Sequence, residues 1–93
     1  MLNHAAFTVG TSPVLLVHIG VKEPVTHVTV VNDDNNSIYV GDAAVSSSGA
    51  DKGVTVKKDS QFIFELNAND KLYAVAATST AANAVSVLYS TLF

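Results

Sequence analysis

Apolar and polar side chains alternate with a period of two along several short stretches of this chain. Clusters of Gly, Asn, Asp, Ser and Pro separate the stretches. The clearest is residues 61–66, where Phe62, Phe64 and Leu66 share one face of a strand and Gln61, Ile63 and Glu65 the other. In residues 25–31, Thr26, Val28 and Val30 alternate against His27 and Thr29. The turn-forming run Asp33-Asp34-Asn35-Asn36 follows, and Ile38-Tyr39-Val40 is expected to return antiparallel as a hairpin partner. In residues 84–92, Val85, Val87 and Tyr89 oppose Ser86, Leu88 and Ser90. Residues 54–56 and 71–77 read as two further strands, the second rich in alanine. Residues 14–19 are an apolar run interrupted by His18, which suits a strand covered on both faces, or one with a face covered by its own sheet and the other by a partner. Phe7-Thr8-Val9 is a short strand closed by the turn cluster Gly10-Thr11-Ser12-Pro13.

No stretch sustains a helical period, and fifteen valines and eight threonines favour strand by propensity. The pattern predicts an all-β chain: a single β-sandwich domain over residues 1–93, jelly-roll-like or Ig-like, of seven to eight short antiparallel strands. Its expected core is Val28, Val30, Val40, Phe62, Phe64, Leu66, Leu72, Val85 and Val87. Residues 1–6 read as an N-terminal arm able to extend from the domain. Residues 43–53, with the run Ser46-Ser47-Ser48-Gly49-Ala50-Asp51-Lys52-Gly53, read as a mobile surface loop, with a short strand available at Ala44-Val45.

Composition changes this picture in one direction. Charged residues make up 14 % of the chain, against about 25 % in ordinary globular proteins. Ser, Thr, Asn and Ala take their place, giving a surface that is easily desolvated and suited to contact with neighbours. The chain is short, so its core is small, and it has no cysteine with which to brace it. Self-association is therefore expected. The candidate contacts are Ile63 between Gln61 and Glu65, Leu88 between Ser86 and Ser90, and the apolar end residues Leu2, Leu92 and Phe93. Five lysines, no arginine and a net charge of −3 argue against nucleic acid. No segment approaches the ~20 apolar residues of a membrane-spanning helix. The start of the chain lacks the basic region of a secretory signal, and the absence of cysteine fits folding in a reducing cytoplasm.

Candidate chemistry is sparse. His4, His18 and His27 have no cysteine partners and no helical spacing. Adjacent strands could bring His18 and His27 together, but zinc needs further ligands. Asp33, Asn35 and Ser37 alternate like the start of a calcium loop. Ile38 stands where the sharp turn needs Gly, and no bidentate Glu follows. Residues 49–53 lack the Gly-Lys-Ser/Thr of a phosphate loop, and no Gly-x-Ser-x-Gly is present. Nothing pairs Glu23 with Glu65 as acid and base. Tyr39, Tyr73 and Tyr89 could stack on a sugar, although strand tyrosines also pack as cross-strand neighbours. The expectation is no enzyme, no cofactor, no metal and no small-molecule substrate.

Four phrases in order carry a family resemblance: Val9-Gly10-Thr11-Ser12-Pro13, Val28-Thr29-Val30-Val31-Asn32, Ile38-Tyr39-Val40-Gly41-Asp42 and Asp70-Lys71-Leu72-Tyr73-Ala74-Val75-Ala76. From Val9 to Tyr89 the chain resembles small structural proteins of tailed bacteriophages, similar to capsid decoration (cement) proteins and to head or tail fibre modules. The resemblance implies a non-enzymatic β-sandwich that coats a virion. It implies a homo-oligomer, a trimer above all, bound to the major capsid protein at the outer capsid surface and made in the cytoplasm of a bacterial host. The alternative it leaves is a tail or fibre module that binds host surface carbohydrate. The loop after Asp42 departs from the family's Asn-Gly or Gly-Pro type turn, and the shared motifs are strand and turn positions that carry no functional residue across.

Overall fold

The computed structural model describes residues 1–91, which form eight strands in two four-stranded antiparallel sheets. The strands are β1 (Leu2–Phe7), β2 (Val14–His18), β3 (Thr26–Asn32), β4 (Ile38–Gly41), β5 (Val54–Val56), β6 (Ser60–Leu66), β7 (Lys71–Ala76) and β8 (Val85–Ser90). One sheet runs β1-β8-β3-β6 and the other β2-β7-β4-β5. Every connection except β4 to β5 crosses from one sheet to the other. This is the eight-stranded double-sheet topology of a jelly roll, which settles the choice between jelly-roll-like and Ig-like.

The inward positions follow the alternation. Val28, Val30, Val85 and Val87 from one sheet meet Ile38, Val40, Val56, Leu72, Ala74 and Ala76 from the other, all buried. Val9 and Ile19 are fully buried as well, although they lie just outside strands. Their backbones are tied down: Ile19 N–H donates to the Asp70 carbonyl, and Val9 N–H donates to Thr80 Oγ1.

Four expectations need correction. The expected hairpin of β3 with β4 does not form: β3 pairs with β6 and β8, and β4 with β5 and β7. The Asx-rich turn carries the chain across the sandwich because buried Asn32 holds it there. Its amide donates to the carbonyls of Asn36 (2.9 Å) and Val56 (3.0 Å), and its oxygen accepts from Asp34 N–H (3.0 Å).

Second, the apolar run at residues 14–19 is an edge strand, not one covered on both faces. A register shift between Leu15 and Val17 makes Leu16 an extra residue, so Leu16 and Val17 are both buried in succession while Leu15 is exposed.

Third, residues 1–6, expected as an extending arm, supply most of the edge strand β1, paired with β8 along its whole length. Fourth, Phe62 does point to the inner face of its sheet, opposite Val30, but is 46 % exposed. It sits on edge strand β6, stacked on half-buried Phe64 (ring centroids 4.8 Å apart). The three-residue β5 across from them is too short to cover both rings.

Candidate interaction face

Tight turns set the sheet edges. In the loop at residues 43–53, Val45 is buried, and Ser46 and Lys52 form a parallel bridge. Asp42 Oδ1 accepts from Ala44 N–H (2.9 Å), closing an Asx turn. Gly53 is required here by space, since a Cβ would lie 2.6 Å from both the Val40 carbonyl oxygen and a Val45 methyl. The loop therefore has an apolar anchor just upstream of the serine run. It frames an open cleft of about 300 Å³ lined by Asp42, Asp51 and Lys52, with Lys52 Nζ 5.6 Å from the Tyr39 ring centre.

Ahead of the other end of β4, Asp34 is buried and both its carboxylate oxygens are used. Its carboxylate accepts from the N–H groups of Ala81 and Asn36, both at 2.9 Å. The Ala81 N–H above all, then that of Asn36, holds its carboxyl below the usual carboxylate range. Asp34 is not one of the alternating positions Asp33, Asn35 and Ser37 compared with a calcium loop; its carboxylate is spent on the backbone that shapes this turn. Among the described residues no group of three or more His, Asp or Glu is placed to hold a metal.

The three histidines lie apart in role. His18 on β2 shares a hydrogen bond with Asn69, and His27 on β3 faces Glu65 at 3.4 Å on the solvent side. Because β2 and β3 belong to different sheets, His18 and His27 are not brought together. The tyrosines do not form one platform either. Tyr39 and Tyr73 are diagonal neighbours on the outer face of the β2-β7-β4-β5 sheet, whereas Tyr89 lies opposite Val28 and packs against the core.

What the structure does assemble is the outer face of the β1-β8-β3-β6 sheet. Cross-strand pairing lines up His4, Leu88, Thr29 and Ile63 as one transverse row. The neighbouring rows contribute Ala6, Ser86, Val31 and Gln61 on one side, and Leu2, Ser90, His27 and Glu65 on the other. Three sequence-derived contact candidates thus share one surface, with exposures of 66 % for Leu2, 57 % for Ile63 and 45 % for Leu88. Leu92 and Phe93 lie outside the described residues. None of the four strands contains a lysine, and Glu65, paired with His27, is the face's one acid. The small side chains of Ala6 and Ser86 leave a shallow groove of about 290 Å³ between His4, Val31 and Leu88. This groove was missed in the sequence, because it depends on β1 joining β8.

The fold has a solved counterpart. A structure from the Bacillus endospore appendages, described as a family of disulfide-linked pili, superposes with a TM-score of 0.59 over 100 % of this chain and 87 % of that one. Sequence identity is 11 %, so the likeness is one of fold. The disulfide linkage named for that protein has no counterpart here, because the chain has no cysteine. No protein-family model matches the chain, and no curated protein matches it.

Proposed function

We propose that this chain is a non-enzymatic structural subunit, and specifically a capsid decoration protein that self-associates and binds the outer surface of an assembled phage head. The observation that carries the reading is the outer face of the β1-β8-β3-β6 sheet. It is a broad, exposed surface with Leu2, Leu88 and Ile63 and almost no charge. Burying the part of each side chain that is still exposed gives about 1–2 kcal/mol each, and the face has no lysine or unpaired acid to desolvate. Repetition over a lattice would multiply modest contacts into high avidity, and binding only the assembled shell would stabilise it by mass action. The phage resemblance supports the virion context, and the jelly-roll fold suits a coat subunit.

The test is co-sedimentation of the purified chain with heads from the phage that encodes it, stripped of this protein. Saturable binding is expected, weakened at least ten-fold by Leu88→Asp or Ile63→Asp while circular dichroism and unfolding midpoint stay unchanged. No binding to heads, or binding indifferent to both changes, overturns the reading. The Tyr39–Tyr73 pair favours a second reading, a fibre module that binds host carbohydrate on the other sheet. Glycan binding lost in Tyr39→Ala, with no affinity for heads, would establish it instead.

A further inference from the structure

The two sheets differ in how their edges are guarded. In the β2-β7-β4-β5 sheet, β2 carries Pro13 at its start and a bulge at Leu16. At the other edge, β5 is three residues long and is followed by Lys57-Lys58. Short strands, bulges, prolines and lysines are the features that keep an edge from pairing with another chain. The edge strands β1 and β6 of the other sheet have none of these within them, the same Lys57-Lys58 pair lying just ahead of β6. β1 keeps an unbroken register over six residues, with no proline, glycine, lysine or carboxylate. β6 keeps it over seven, with Glu65 its one charge. Both edges overhang the opposite sheet: inward-facing Ala5 on β1 and Phe62 on β6 are exposed.

We propose that copies of this chain join edge to edge, β1 of one copy adding antiparallel to β6 of the next, so that one sheet runs continuously through the assembly. The proposal deepens the self-association in the reading above by naming the surface and its polarity. Strand direction allows it. β1 is antiparallel to β8, β8 to β3 and β3 to β6, so β1 and β6 run in opposite senses and a neighbour in the same orientation presents an antiparallel partner.

Register allows it as well. Each residue of an antiparallel strand aims its N–H and C=O to one side, and that side alternates along the strand and from strand to strand within a row. The row His4, Leu88, Thr29, Ile63 spans four strands, an even number. His4 and Ile63 therefore both aim their backbone groups outward, or both inward. In either case His4 of one copy and Ile63 of the next complete a regular pair without a shift along the strand.

The same register sets Ala5 opposite Phe62 and Asn3 opposite Phe64 on the inner face. The small Ala5 leaves room for the exposed Phe62 ring, and the join covers both. Such a contact uses different surfaces on the two partners. It closes into a ring or continues as a filament according to the sheet's twist.

The absence of cysteine makes the test clean. In the proposed pair the Cα atoms would lie about 4.5–5.5 Å apart, within disulfide range. Within one chain, three strand spacings separate the two positions by roughly 14 Å, too far to bridge. His4→Cys and Ile63→Cys, both at exposed positions, are made separately, mixed and oxidised. The mixture should give a disulfide-linked dimer at least ten-fold above either variant alone, and the doubly substituted chain should give a ladder. Equal cross-linking of His4→Cys alone would replace the proposal with a two-fold β1–β1 contact. No cross-link between the two variants, with the wild type oligomeric by light scattering, would overturn the edge contact and leave self-association standing. A wild type monomeric at all concentrations would overturn both.

Discussion

Asp34 shows how a single side chain ties acid stability to the fold. Its carboxyl is lowered by the N–H groups of Ala81 and Asn36, so the folded state binds its proton less readily than the unfolded chain. Stability from this group is present above the unfolded value, about 3.9, and is lost as pH falls through the lower folded value. Urea midpoints measured from roughly pH 6 to pH 2 should fall in the acid limb, and the gap between wild type and Asp34→Asn should close there. A gap that stays constant with pH would remove the assignment.

Gly53 makes a second residue-scale case. Its φ is unremarkable, and the constraint is the Val40 backbone and the Val45 side chain where a Cβ would stand. Gly53→Ala should cost about 1–3 kcal/mol, read from denaturant unfolding, whereas Gly49→Ala meets no neighbour and is limited only by its φ of 80°.

At the scale of elements, strand position decides what an aromatic is worth. Phe62 and Phe64 alternate with Gln61, Ile63 and Glu65 and both face inward, yet one is exposed and the other half-buried because β6 is an edge strand. Phe64→Ala should cost about 2 kcal/mol and Phe62→Ala less than about 1 kcal/mol in the dilute monomer, below the 3–5 kcal/mol of a fully enclosed Phe. Equal large losses would show that Phe62 is covered in solution. The alternation of residues 61–66 was legible as a strand with the right faces. Which face is covered along its full length was not, since that depends on the length of β5 across the sandwich.

For the whole molecule, the pairing is dominated by strands far apart in the chain. β1 pairs with β8, and β3 pairs with both β6 and β8. Loop closure must precede almost every stabilising contact, so refolding should take milliseconds to seconds, as in other sandwiches rich in non-local pairing. Stopped-flow refolding in microseconds would contradict this. The central strands β8 and β3 should hold the slowest-exchanging amides, and the edge strand β1 should exchange early in dilute solution and be protected once copies associate.

By itself the sequence determined the local structure. The period of two, the Asx and Gly turns and the β-branched content placed β2 to β8 near their observed bounds, because these depend on neighbouring residues alone, whereas β1 runs from Leu2 to Phe7 instead of the expected Phe7 to Val9. The sequence also singled out Leu2, Ile63 and Leu88, which the fold leaves exposed on one sheet face. Only the tertiary structure decided which strand lies beside which. β3 and β4 are separated by one turn yet belong to different sheets, because the side-chain bonds of Asn32 reach Val56 across the sandwich and no local pattern records that distance. For the same reason the chain start became a sheet edge, and three scattered apolar residues became one face. A sheet face is built from cross-strand neighbours, and those are chosen by global packing.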